Sequence, residues 1–252
     1  MENKYPHNYL DNVVVRIDFS SPLDELREII PEDLNRGILE DFPILEPKER
    51  FEGEIKFDFS KGNETANQFC KEKYQEWVYY GKNREKELHI TLKFFSITYL
   101  KYQSFEELRN DFLKISKLLF ARSPSFGTKR LGLRYINKIV LNENRPTEWG
   151  KYLDKKLLCA FNVVEDKRLI SRVFHTLIFN EDDIRITFQY GMFNPDFPAV
   201  IHRKEFILDF DGAYNGVIQS YNELVMKLEK CRKPIKTTFE THITDTLRRK
   251  MG

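Results

Sequence analysis

Arg130-Leu131-Gly132-Leu133-Arg134-Tyr135-Ile136-Asn137, at mid-chain, alternates apolar residues with charged or small ones. A period of two marks a strand with one buried and one wet face. Leu131, Leu133, Tyr135, Asn137 and Ile139 then share one face, and Arg130, Gly132, Arg134 and Lys138 the other. The same alternation recurs on both sides of this stretch. Val13, Val15, Ile17 and Phe19 alternate with Val14, Arg16 and Asp18; Phe51, Ile55, Phe57 and Phe59 alternate with Glu52, Glu54, Lys56 and Asp58. Leu88, Ile90, Leu92 and Phe94 alternate with His89, Thr91 and Lys93, and Ile184, Ile186, Phe188 and Tyr190 with Arg185, Thr187 and Gln189. Strands wet on one side belong to an antiparallel sheet.

Between the strands lie helix signals. Ser21-Pro22 supplies an N-cap and an N1 proline for a short helix through Ile30, and Ser104-Phe105-Glu106-Glu107 has the form of a capping box. Leu108, Phe112, Ile115 and Leu119 follow on one helical face. Ile218, Tyr221, Val225 and Leu228 form a second stripe, which Pro234 is expected to break before a last basic helix carrying Ile235, Phe239, Ile243 and Leu247. A helix is also expected near 147–157, and 63–73 and 81–87 read as exposed loops or a surface helix.

In chain order the two halves, 1–126 and 127–252, each read as strand, helix, two or three strands, long helix. The expected fold is therefore α+β within one domain, with long helices packed on one face of an antiparallel sheet. Two pseudo-repeated β-α-β-β-β-α halves would give it a saddle or helix-grip form, with the boundary at the turn 123–127.

A chain of 252 residues with 41% hydrophobic and 14% aromatic content can bury a substantial core. Its formal charge of +2 excludes a global field drawing it to nucleic acid or an anionic membrane. Cys70, Cys159 and Cys231 are scattered and odd in number, which excludes C-x-x-C motifs and argues against a disulfide framework. No apolar run has the length of a membrane span, and the N-terminus lacks a signal-peptide core. The expected setting is the cytoplasm, with no membrane association.

The octapeptide resembles the signature of a sporadically distributed prokaryotic family of uncharacterised proteins, in which an R-x-G-L-R-Y-I-N strand follows a mid-chain helix. The likeness extends to the N-terminal strand and short helix, to a late strand ending Leu208-Asp209-Phe210-Asp211, and to a closing helix with Phe239 and Ile243-Thr244. Where many relatives carry a His near the last helix junction, this chain reads Arg232-Lys233-Pro234. The patchy distribution of that family implies an accessory gene, of a defence or toxin–antitoxin kind, and a protein partner encoded by a neighbouring gene.

Several constellations are candidates for chemistry. Arg130 and Arg134, with Gly132 between them, would make a small anion-binding row that a ligand can approach closely. The blander alternative pairs Arg134 with a carboxylate on the next strand and lets Gly132 accommodate an aromatic ring. With Asn137, read as a satisfied core amide, and Lys138, these are the candidate ligand-binding residues. Asp209, Asp211 and Glu205 share a face and offer the start of a hard-cation site, though acidic residues before a turn are usually solvated.

His89-Ile90-Thr91 and His242-Ile243-Thr244 repeat an H-x-T pattern that resembles the paired motifs of 2H phosphoesterases, whose histidines serve as general acid and base. His242 falls in expected helix, where positions two apart do not share a face. His7 reads as loose terminus, His175 as a buried core residue and His202 as part of a basic turn. There is no G-x-S-x-G, H-E-x-x-H, P-loop or G-x-G-x-x-G motif. Lys227, Lys230, Arg232, Lys233 and Lys236, with Arg248, Arg249 and Lys250, form the one basic concentration, readable as a phosphate track or as solvated helix faces.

The expectation is a non-catalytic binding module, without cofactor or metal, that docks a protein partner or a small anionic ligand. The alternative is an RNA-binding protein or 2H-like RNA phosphodiesterase using His89 and Thr91.

Overall fold

The octapeptide lies in β7 (Thr128–Val140), one of two central strands of a ten-stranded open sheet. The computed structural model describes residues 5–57, 66–122 and 127–252, without the side chains of 52–57 and 66–72. Of the alternation expected over 51–59, the backbone of 51–57 is strand and Phe51, expected on the apolar face, is exposed; the side chains beyond it, that of Cys70 and the turn at 123–126 lie outside that description. The other strands are β1 (Leu10–Phe19), β2 (Ile44–Leu45), β3 (Lys48–Phe57), β4 (Ala66–Tyr80), β5 (Lys86–Ile90), β6 (Phe94–Tyr99), β8 (Val173–Glu181), β9 (Ile184–Met192) and β10 (Glu205–Ile218). Their order is β2-β4-β5-β6-β1-β7-β10-β9-β8, with β3 paired to β4, and the pairings are antiparallel.

The alternation in β1 sends Val13, Val15, Ile17 and Phe19 into the core. Register then fixes the faces of its neighbour: Val15 opposes Leu133 and Ile17 opposes Leu131 inside, while Arg16 opposes Gly132 and Asp18 opposes Arg130 outside. Two long helices cover the inner face, α2 (Phe105–Arg122) and α3 (Tyr221–His242). The Ser104 hydroxyl caps α2 by accepting from Glu107 N at 3.2 Å, and Leu108, Phe112, Ile115 and Leu119 are buried as their spacing requires. Phe112 packs on Phe95 of β6, and Phe239 of α3 meets Phe210 of β10 edge-on. Arg109 pairs with Glu229 at 3.0 Å, and the Arg232 guanidinium lies 4.1 Å over the Phe105 ring. The two helices therefore run side by side in opposite directions. Among the described residues no helix is long and apolar enough to cross a membrane.

Four local expectations are corrected. The stretch after Ser21-Pro22 is a 3-10 turn, Asp24–Leu26, and the helix comes later as α1 (Glu32–Leu39), behind Pro31 and with Glu32 and Asp33 in its first turn. The single strand expected over 88–94 is two, β5 and β6, because the chain reverses at Thr91. The helix near 147–157 is a 3-10 helix at Lys155–Asn162, capped by Asp154. Residues 66–73 belong to strand β4 rather than to a loop or surface helix.

The fourth helix, α4 (Asp245–Met251), bears on a further correction: α3 runs through Pro234 and stops only at Ile243, which is extended and bridges to Leu153. A proline inside a helix forfeits one hydrogen bond and crowds the preceding turn, at a cost of about 3 kcal/mol. Burial of Cys231, Pro234 and Ile235 against the sheet offsets that cost. Close approach at this turn depends on Gly212 of β10. A Cβ there would lie 3.0 Å from the Cys231 carbonyl oxygen and 3.1 Å from Ile235 Cδ1. Gly212→Ala is expected to cost about 1–3 kcal/mol of stability in urea denaturation, with the slope unchanged. A variant of undiminished stability would show that α3 can lift from the sheet without loss.

Candidate functional site

On the wet face, the two half-sites suspected from the sequence meet and close on each other. Arg134 donates from Nε and Nη2 to both oxygens of Asp209, at 2.8 and 2.6 Å. Lys138 stands 3.3 Å from Glu205, and Arg130 lies between Asp211 at 3.4 Å and Asp18 at 3.7 Å. Arg16 completes the row with Asp18 at 2.6 Å and lies 3.8 Å over the Phe94 ring. The arginine row is thus committed to the carboxylates that were candidates for a cation. Asp209 raises the pKa of Arg134, mainly through the hydrogen bonds. Burial raises the Asp211 carboxyl above its ordinary value against the pull of Arg130 and Arg134. Gly132 accommodates no aromatic ring; the space a Cβ would take holds the Arg130 guanidinium, 2.8 Å away. Among the described residues no group of three or more His, Cys, Asp or Glu is placed to hold a metal ion.

The two H-x-T motifs do not converge. His89 faces the wet side, with Nδ1 2.9 Å from Glu76 and Nε2 3.5 Å from Glu87. Burial would raise the Glu76 carboxyl, but the hydrogen bonds from Arg50 and His89 outweigh it and hold the pKa below its ordinary value. Thr91 does not share that face: its buried hydroxyl donates to Phe94 O and accepts from Lys93 N and Phe94 N, closing the β5–β6 turn. His242 ends α3, its Nδ1–H donating to Thr238 O at 2.7 Å, with its ring near Phe188 of β9. β5 and β9 are five strand steps apart, roughly 24 Å at the usual spacing, and the helices lie on the opposite face. Thr244 caps α4 and donates to Lys151 O at 2.7 Å. Both motif threonines therefore hold backbone rather than face a common substrate.

Of the remaining histidines, His7 and His202 are exposed. His175 is not a buried core residue but a half-buried one on β8, stacked on Tyr190. Much of the basic concentration is paired as well: Lys227 and Lys230 meet Asp183, and Arg248 meets Glu240 and Asp245.

The opening in the helix layer lies elsewhere, at the start of α2 and beside the second half of α3. It is a cavity of about 150 Å³. Tyr135 and Asn137 of β7 and Phe210 of β10 line it together with Phe239, and Tyr102 and Phe105 border it at α2. Arg232 and Lys236, one helical turn apart on α3, put two cations at the same opening. Glu240, another turn on, is held by Arg248 and by Tyr5, which donates its hydroxyl at 3.0 Å.

The polar chemistry here is specific. The Tyr102 and Tyr135 hydroxyls are 3.2 Å apart, so one donates to the other and the second proton remains available. Burial pushes the Tyr102 phenol up to about 12 and Tyr135 well above its ordinary value, so both stay neutral donors at physiological pH. Asn137 sends Nδ2–H to Leu208 O at 3.2 Å, as expected of a core amide, while the residue borders the cavity. Burial lowers the Arg232 pKa, the direction expected when a guanidinium is partly stripped of water.

Of the ligand-binding candidates that the octapeptide suggests, Asn137 is thus the one this cavity shares. Nothing in the sequence marks Tyr102, Phe210 or Phe239 as a ligand contact, and only Arg232 and Lys236 stand in the basic cluster. The visible clue is an arginine and a lysine at i and i+4 ahead of Phe239. Compared with known proteins, the chain matches no family profile and no curated protein sequence.

Proposed function

We propose that this protein is a non-catalytic binding module whose ligand is a small aromatic carboxylate or similar planar anion seated between α2 and α3. The observation that carries the reading is the cavity of about 150 Å³, walled by aromatic rings and rimmed by Arg232 and Lys236. A volume of this size accommodates a single six-membered ring. Apolar walls with a few convergent polar groups are the common form of a small-molecule site. Arg232 supplies a planar guanidinium suited to a carboxylate, and the tyrosine pair supplies a neutral donor. Arg232 is itself 4.0 Å from Glu229, whereas the wet-face arginines Arg16 and Arg134 hold their carboxylates at 2.6 Å and stand on a face with no comparable cavity among the described residues.

The strand order supports taking the halves 1–126 and 127–252 as a pseudo-repeat. β1 and β7 are neighbours at the centre, β6-β5-β4 extend outward on one side and β10-β9-β8 on the other, with α2 and α3 closing the respective halves. The cavity would then occupy the junction of the repeats.

Thermal denaturation with benzoate as probe tests the proposal. At a concentration 100 times Kd the expected stabilisation is about 2.7 kcal/mol, or roughly 5–10 °C in Tm for a chain of this size. Benzyl alcohol, which keeps the ring and lacks the charge, should bind at least tenfold more weakly, and Arg232→Gln should remove most of that difference. Equal binding of the alcohol and the acid would refute the anion site, and no binding of either would refute the cavity reading.

A further inference from the structure

We propose that β8 is the dimerisation edge of this protein, pairing antiparallel with β8 of a second copy about a two-fold axis at Leu177. β8 ends the sheet and is paired only to β9 among the described residues. Its sequence, Val-Phe-His-Thr-Leu-Ile-Phe-Asn-Glu, contains no Lys, Arg or Pro, and its one carboxylate, Glu181, stands at the strand's last position. Proteins protect free edges with those residues, with bulges or with a covering element. The opposite end of the sheet carries a denser set of charges: β3 opens Lys48-Glu49-Arg50.

Exposure follows the edge rather than one face. Thr176, Leu177 and Ile178 are all exposed although successive side chains point to opposite sides of the sheet; Leu177 is 51% and Ile178 50% exposed. An occupant lying on either face would cover one of the two apolar side chains. A strand added at the edge flanks both, and its main chain satisfies the outward backbone groups.

A second copy fits this edge in one register. For the wet faces of the two copies to form one continuous surface, facing residues must have the same parity, so the axis passes through a residue and not between two. Centring it on Leu177 sets Thr176 against Ile178, His175 against Phe179 and Phe174 against Asn180 of the other copy. These are β-branched, aromatic and neutral pairs with no like charges opposed. Just past the two ends of β8, the same register brings exposed Arg172, whose guanidinium donates to the Phe193 carbonyl, near exposed Asp182 in the β8–β9 turn of the other copy, at both ends by symmetry. Centring on Thr176 or Ile178 instead sets Arg172 against Asn180 or Ile184 and loses both charge pairs. Beside the strand, Phe193 and Phe197, 46% and 53% exposed, hold the Arg172 guanidinium between their rings and extend the apolar margin. The interface is isologous, as most homodimer interfaces are.

Sedimentation of the purified full chain at tens of micromolar should give twice the 30.2 kDa chain mass. Ile178→Lys should halve it while leaving the circular dichroism spectrum unchanged, with Tm lowered only to the value that the dilute native chain shows. Cross-linking fixes the register without depending on that variant. In a background with Cys70→Ser and Cys159→Ser, Leu177→Cys should oxidise to a covalent dimer, because residues directly opposed across strands are within disulfide reach. Asn180→Cys should not, since the two copies of that residue are six positions apart, roughly 20 Å. A monomer at these concentrations overturns the proposal, as does a chain that pairs only with a heterologous protein. A dimer that survives Ile178→Lys, or one that cross-links through Asn180→Cys and not Leu177→Cys, overturns it equally.

Discussion

Asp111→Ala is expected to lower the unfolding free energy by about 3–5 kcal/mol. Asp111 is buried on the inner side of α2, where Lys86 Nζ of β5 lies 2.5 Å and the Tyr99 hydroxyl of β6 2.6 Å from its Oδ2. The Lys86 side chain is 10% exposed and its ammonium sits 4.7 Å over the Phe42 ring. Removing the carboxylate leaves an ammonium and a hydroxyl in the core with their main acceptor gone, and an uncompensated buried charge is the costly case. The intact pair, by contrast, has already lost hydration on both sides, so its net contribution is small. Lys86→Met combined with Asp111→Leu should therefore recover most of the loss. Urea denaturation of wild type, both single variants and the double variant decides this. Strictly additive single losses would mean that the two groups act independently and that the coupling argued here is absent. The pair also ties α2 to the sheet two turns beyond Phe105, so the double variant should keep benzoate binding while Asp111→Ala weakens it.

That pair is not apparent in the sequence, and the reason separates what is readable there from what is not. Alternation in β1 and β7 fixes which side chains face inward, because in a strand the face of every residue follows from one of them. The capping box at Ser104 and the stripe from Leu108 to Leu119 likewise stand in the local sequence, and both appear in α2. Simple periodicity fails where a specific contact, distant or close in the chain, competes with it. Pro234 reads as a stop, yet Gly212, 22 positions earlier in the chain, lets α3 settle onto β10 and continue. Thr91 reads as one more strand residue, but its hydroxyl finds Lys93 N and Phe94 N and turns the chain. The cavity is harder still to read. Tyr102, Tyr135, Phe210 and Arg232 come together only because α2 and α3 lie antiparallel, and no spacing in the sequence records that.

The wet face is the opposite case, where residue types allow two readings and register decides between them. Arg134→Met is expected to destabilise the protein by about 1–3 kcal/mol, and not merely to remove a ligand contact. The Asp209 side chain is 8% exposed while Arg134 is 44% exposed, so water screens one partner of the pair, which places the loss below that of a fully buried one. Without the guanidinium, Asp211, whose carboxyl burial already raises, loses one of the two cations that pull it down and should take up a proton more readily. The sign of the pH dependence follows. A carboxylate whose folded pKa rises above its unfolded value stabilises the fold only as pH falls, so the deficit of the variant should shrink between neutral pH and roughly pH 4. Arg134→Met with Asp209→Asn should recover most of the stability at neutral pH and flatten the pH profile. If Arg134→Met instead leaves stability and its pH profile untouched, Arg134 is not committed to Asp209 in solution. The open anion row on the wet face would then displace the cavity between α2 and α3 as the place to look for the ligand.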